Sequence, residues 1–179
     1  HNKIPSRNQE ILRVWRQYYG HVAPPLQPEI DLILIDDLDT IRAVEVKYFE
    51  RKGSELSQPF YSGIDQALAL LQWGFDNVAL WQLFEEGLSN EDLRRYGCRT
   101  WRFVHGFLGL PIDFSVIRVM RTDEIRFQVV QADWGNDLTP MNLLDVDDPN
   151  FHITWRHPNL LYFTEEAKIL KKLLIDWLK

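Results

Sequence analysis

The chain reads as an α/β protein on three observations. Two apolar runs rich in β-branched residues, roughly 30–36 and 41–49, stand in tandem early in the sequence. A third run, 77–83, follows a helical pattern that begins near residue 60. A helix between two strands is the connection that a parallel crossover requires. At 179 residues the chain fits a single domain, 1–179.

The elements follow in order. Residues 7–19 predict a helix, because Ile11, Leu12, Trp15, Tyr18 and Tyr19 recur at helical spacing, with Ser6 as N-cap and Gly20 as stop. Pro24, Pro25 and Pro28 break the chain before the first strand. Asp37-Leu38-Asp39-Thr40 reads as a turn, since Asp bonds its own neighbouring backbone, and the two strands form a hairpin. The stretch from Phe49 to Pro59 is loop-like. The next helix places Ile64, Ala67, Leu68 and Leu71 on its buried face and ends at Gly74. Residues 91–96 predict a short helix and Trp101–Val104 a strand. Residues 114–120 and 125–131 alternate as a hairpin, and 133–150 read as an acidic loop. In the last helix Thr164 is the cap, Glu165 and Glu166 suit the positive end, and Ile169, Leu170, Leu173, Leu174, Trp177 and Leu178 form the apolar face.

The first hairpin carries charge where a buried strand should carry none. Asp31 lies inside Ile30-Asp31-Leu32-Ile33-Leu34-Ile35, and Glu45 and Lys47 lie inside Ala43-Val44-Glu45-Val46-Lys47. An unpaired buried charge costs several kcal/mol, so such groups are paired or bind a metal. Alternation puts Ala43, Glu45 and Lys47 on one face of their strand, and the hairpin can bring Asp31 beside them. Asp36 ends its run on the opposite face and is the weaker candidate. Two carboxylates and a lysine at one sheet edge form a set suited to divalent-metal cleavage of phosphodiesters.

Composition sets further bounds. A single cysteine, Cys98, excludes an intramolecular disulfide and fits a reducing compartment, so a cytoplasmic location is expected. No apolar run is long enough to span a bilayer, and His1-Asn2-Lys3 carries no apolar signal segment. The net charge of −6 runs against the usual basic surface of a phosphate binder, although acids that bind metal are neutralised locally. A local basic surface is available at Arg7, Arg13, Arg16, Arg51 and Lys52, with Arg51 and Lys52 the candidates for nucleic-acid contact.

The order helix, strand with Asp31, strand with Glu45-Val46-Lys47, helix with Gln66, strand resembles the PD-(D/E)xK nuclease superfamily. The resemblance covers about residues 7–83. It implies a restriction-endonuclease-like α-β-β-β-α-β core, with the C-terminal β-hairpin and helix of 90–179 as an extension. It further implies Asp31, Glu45 and Lys47 as catalytic residues, joined by Gln66 on the following helix and Glu10 on the first. Asp31, Glu45 and the Val46 carbonyl would hold Mg or Mn. The motif's proline normally lies just before its aspartate; here Pro28 precedes Asp31 by three positions. The expected function is metal-dependent endonuclease cleavage of DNA. The alternative is a catalytically inactive nuclease-like module that binds nucleic acid or assembles with protein. The C-terminal helix and the 114–131 hairpin offer the surface for a homodimer.

Overall fold

The computed structural model describes residues 2–3, 13, 16–17, 20, 29–121, 125–130, 144–145 and 158–178. The helix expected over 7–19 is described only at Arg13, Arg16 and Gln17, which are helical. Glu10 and Arg7 lie outside the described residues.

The protein is mixed α/β, with one sheet at its centre. Five strands form its body: β2 (Leu32–Ile35), β3 (Ile41–Phe49), β6 (Asn77–Glu85), β7 (Asp113–Arg121) and β8 (Ile125–Val130). Two-residue strands, β1 (Asn2–Lys3) and β9 (Leu144–Asp145), extend its edges in the order β1-β2-β3-β6-β7-β8-β9. The pairs β3–β6 and β6–β7 are parallel, and the hairpins β2–β3 and β7–β8 are antiparallel. The loop expected over Phe49–Pro59 contains a small separate hairpin, β4 (Arg51–Lys52) with β5 (Glu55–Leu56).

Each parallel pair is joined by a helix. The crossover from β3 to β6 runs through α1 (Ile64–Leu70) and a 3₁₀ turn, Leu71–Trp73. The crossover from β6 to β7 runs through α2 (Asn90–Trp101), which continues as a π-helical segment, Arg102–Phe107. This corrects two expectations, the short helix at 91–96 and the strand at Trp101–Val104. Ser89 caps α2 by accepting the Asp92 amide, and Leu93, Gly97, Thr100 and Val104 are buried at spacings of three and four. That period outweighs the strand-like aromatic and β-branched content of Trp101–Val104. A further correction falls at Leu144–Asp145, paired with β8 within a stretch expected to be loop.

All three described helices stand against one face of the sheet. Ile33, Ala43, Val78 and Leu80 share that face by register, and they pack with Ile64, Ala67 and Leu70 of α1. Leu170, Leu174 and Leu178 of α3 (Glu165–Leu178) enter the same core. Leu93 of α2 packs with Phe49, Phe84, Leu88 and Val116 in a neighbouring cluster. The apolar stripe of α3 is thus occupied within the chain, and Ile169, expected on it, is exposed. On the β7–β8 hairpin Ile125 and Phe127 are exposed. Among the described residues no helix is long and apolar enough to cross a membrane.

Asp76 and Asn159 tie this arrangement together. Asp76 accepts the Ile41 amide at 2.7 Å and pairs with Lys171 of α3 at 2.8 Å. The buried Asn159 amide group donates to the carbonyls of Leu71 and Phe75. Gly74, at φ +78°, lets α3 approach: a Cβ there would lie 2.4 Å from the Ala167 carbonyl oxygen and 2.8 Å from the Lys171 nitrogen. Gly53 has a similar φ of +65° but open space around it. Gly74→Ala should therefore cost at least about 2 kcal/mol, lowering the melting temperature by roughly 4–8 °C, while Gly53→Ala pays only the left-handed strain of about 1–2 kcal/mol. Thermal melts showing the two variants equally stable would contradict this seating of α3.

Candidate active site

The site forms where β2 leaves β3. Their ladder ends at Leu32 opposite Val44, so Asp31 continues it to a place opposite Glu45. There a side chain replaces the missing strand: the Val46 amide donates to Asp31 Oδ2 at 2.6 Å. In an extended strand the N–H and C=O of one residue point to the same side. The Val46 carbonyl therefore faces the same edge, beyond the end of the β2–β3 ladder.

Glu45 points to the helix-covered face. It is only 1% exposed. Its Oε1 pairs with Lys47 Nζ at 2.5 Å, and its Oε2 has no hydrogen-bond partner among the described residues. Burial pushes its carboxyl up to about 7; the Lys47 ammonium pulls it down, and the charges of Asp31 and Glu29 push it further up. Glu29 is thus an electrostatic neighbour of the site although its own side chain is exposed.

Lys47 stands on the same face, 20% exposed, with its stem against Gly63 at the start of α1. A Cβ on Gly63 would lie 2.8 Å from Lys47 Cγ and 2.9 Å from Leu80 Cδ1, and its φ of +86° already favours glycine. Beyond Lys47 opens a cleft of about 600 Å³, whose walls include Gln58, Tyr61, Gly63, Gln66 and Phe103. Gln66 of α1 and Lys47 of β3 therefore share one cleft.

The wall of that cleft is fixed by a polar cluster that the sequence did not single out. Gln82, fully buried on β6 opposite Lys47 in register, donates to the Phe60 carbonyl at 2.7 Å and to Thr100 Oγ1 at 3.0 Å. Thr100 also donates to the Phe60 carbonyl, at 2.6 Å. Gln58 donates to the Tyr48 carbonyl. The only signal for Gln82 in the sequence is a polar residue at an inward position of an apolar strand; Gly63 left none beyond its type.

Other candidates have partners of their own. Arg51 pairs with Asp92 at 2.6 Å and donates its amide to Glu85, and Lys52 lies 3.4 Å from Glu50. Asp36 closes the β2–β3 turn, accepting the Leu38 and Thr40 amides and pairing with Arg42 at 3.0 Å. Partial burial opposes ionisation of Asp36, but these bonds outweigh it and hold its carboxyl below the usual range.

The donor set suits a hard cation. Two carboxylates and a main-chain carbonyl are oxygen ligands, and Mg²⁺ typically takes one or two carboxylates and keeps several waters. The unpartnered Glu45 Oε2 is the atom that such an ion would satisfy. Among the described residues no group of three or more His, Cys, Asp or Glu could hold a metal, so water and substrate oxygens would complete its shell.

Two outcomes follow from this geometry. The folded protein keeps a proton on Glu45 up to about pH 7, whereas the unfolded chain releases it near 4.5. The group's stabilising contribution is therefore complete below about 4.5 and lost as pH rises through 7. In metal-free melts, Glu45→Gln should gain on the parent from pH 5 to about pH 7 and level off above it; a gap constant with pH would contradict the raised carboxyl. Gly63→Ala should lose about 1–3 kcal/mol through left-handed strain and overlap with Lys47. Unchanged melting would refute the close approach.

Comparison with protein-family models, with curated proteins and with solved structures finds no match to this chain.

Proposed function

We propose that the chain is a metal-dependent endonuclease of restriction-endonuclease-like fold that hydrolyses DNA phosphodiester bonds. The observation that carries this reading is Glu45: a buried carboxylate with one oxygen on Lys47, the other without a partner among the described residues, and Asp31 beside it where the β2–β3 ladder ends. A purely structural ion pair gains nothing from that second oxygen, since leaving a buried acceptor unmade costs about 1–3 kcal/mol. The hairpin, α1 and parallel β6 in that order support the same fold assignment.

Asp31, Glu45 and the Val46 carbonyl would hold Mg or Mn. When bound, the ion would supply Lewis-acid stabilisation of the phosphate and a water of lowered pKa. Lys47, charged beside two acids, places an ammonium at the cleft where negative charge grows on the phosphate. Gln66, which lines the same cleft, offers an amide to the attacking water or a phosphate oxygen.

The alternative, an inactive nuclease-like binding module, draws on one observation: Asp31 Oδ2 is already engaged by the Val46 amide. Cleavage of a panel of labelled DNAs with Mg²⁺ or Mn²⁺ separates the two. The parent should cut, and Glu45→Gln and Lys47→Ala should each lose at least about 100-fold in rate with their circular dichroism retained. Variants that cut like the parent would refute the catalytic assignment, and a parent that binds DNA without cutting would favour the module.

A further inference from the structure

A row of aromatic rings leads outward from the cleft. Tyr61 meets Phe60 edge-on at a centroid distance of 5.3 Å, Phe60 meets Phe103 at 6.2 Å, and Phe103 stacks on Phe107 at 5.9 Å with 15° between their planes. Phe103 lines the cleft together with Lys47 and Gln66. The ends of the row are open to solvent: Tyr61 is 55% exposed and Phe107 79%. Scattered exposed hydrophobics need no explanation, but a connected row with both ends exposed beside a candidate site marks a binding surface.

The element that carries Phe103 and Phe107 also carries positive charge. Arg95, Arg99 and Arg102 are exposed and lie four and three residues apart, on one side of α2 and its π-helical continuation. Arg95 is 3.6 Å from Asp92, an exposed contact of small worth. In a chain of net charge −6, a helix and its continuation with four arginines (Arg94, Arg95, Arg99 and Arg102) against two acids (Glu91 and Asp92) are a local departure toward a polyanionic partner. A π-helical segment, here the C-terminal continuation of α2, is itself rare and frequent at functional sites.

We propose that this aromatic row, flanked by the arginines of α2, binds an unpaired DNA strand and leads its backbone to the cleft of Lys47. The inference rests on the nuclease reading and names its substrate class. In a duplex each base is stacked on its neighbours and offers no free face to a ring. An unpaired strand offers every base face, and proteins that bind one combine a positive surface with stacking rings.

Fluorescence anisotropy without added metal tests this, with a labelled oligo(dT) of about 20 nucleotides and a blunt duplex of equal length. The single strand should bind at least about tenfold more tightly than the duplex, and Phe107→Ala should weaken it by about 5- to 100-fold. Phe107 is largely exposed, so the variant should melt with the parent. Arg99→Ala should weaken binding and flatten its salt dependence. Equal affinity for the two DNAs, or a Phe107→Ala variant that binds like the parent, overturns the proposal. Phe107-dependent strand binding without cleavage would sustain the track and refute the nuclease. Glu45-dependent cleavage of duplex, indifferent to Phe107, would refute the track and sustain the nuclease.

Discussion

The site is organised by the cost of burying one carboxylate. Glu45 occupies a position that register and packing assign to the core, between Ala43 and the stem of Lys47 and opposite Leu80. An aliphatic residue there would extend the apolar face without penalty. A carboxylate there must find a cation or keep a proton, and Glu45 is balanced between the two. Lys47 answers one oxygen, and burial with two nearby acids raises the carboxyl to about 7. A divalent ion would resolve both demands by supplying charge to the second oxygen and displacing the proton.

The surrounding structure limits how that balance can shift. Lys47 cannot swing away freely, because its stem lies close against Gly63. The α1 wall cannot drift, because Gln82 and Thr100 both hold the Phe60 carbonyl. Asp31 is fixed by a main-chain donor and not by a flexible side chain. Glu45 and Lys47 therefore sit on a paired strand, Asp31 is bonded to that strand just beyond the end of β2, and the cleft wall is tied to the neighbouring strand through a buried amide. Such pre-organisation is what electrostatic catalysis requires, since groups already in place need not reorganise as charge develops.

Much of this was legible in the sequence, and the reasons are local. Asp31, Glu45 and Lys47 stand out as charges within apolar runs; a period of two puts Glu45 and Lys47 on one face, and the hairpin brings Asp31 near them. Strand 41–49 was legible because it is long and rich in β-branched residues, and 77–83 because it is an apolar run that follows a helical pattern. The α2 segment was not: Trp101–Val104 is locally strand-like, and only its packing against β6 and β7 through Leu93, Thr100 and Val104 makes it helical. The role of Ile169 was misjudged because an amphipathic stripe gives a direction but not a width. Gly63 and Gln82 were invisible because their importance lies in what approaches them from elsewhere in the chain. Glu10, assigned through the resemblance, lies outside the described residues.

The acidic balance of the chain and a polyanionic partner are compatible only if charge is distributed unevenly. Among the described residues the acids near the cleft are Asp31, Glu29, the exposed Asp65 of α1 and, once its proton is lost, Glu45. Without a cation these acids would repel a phosphate more strongly than Lys47 attracts it. On the proposed nuclease reading, substrate approach would then be coupled to metal occupancy: the ion would be needed for the phosphate to enter the cleft as well as for the reaction. The arginines of α2 lie on the element behind Phe103, where attraction does not depend on the ion. A strand held there by stacking and by arginine would meet the acids only once a cation had neutralised them, separating a metal-independent binding step from a metal-dependent cutting step.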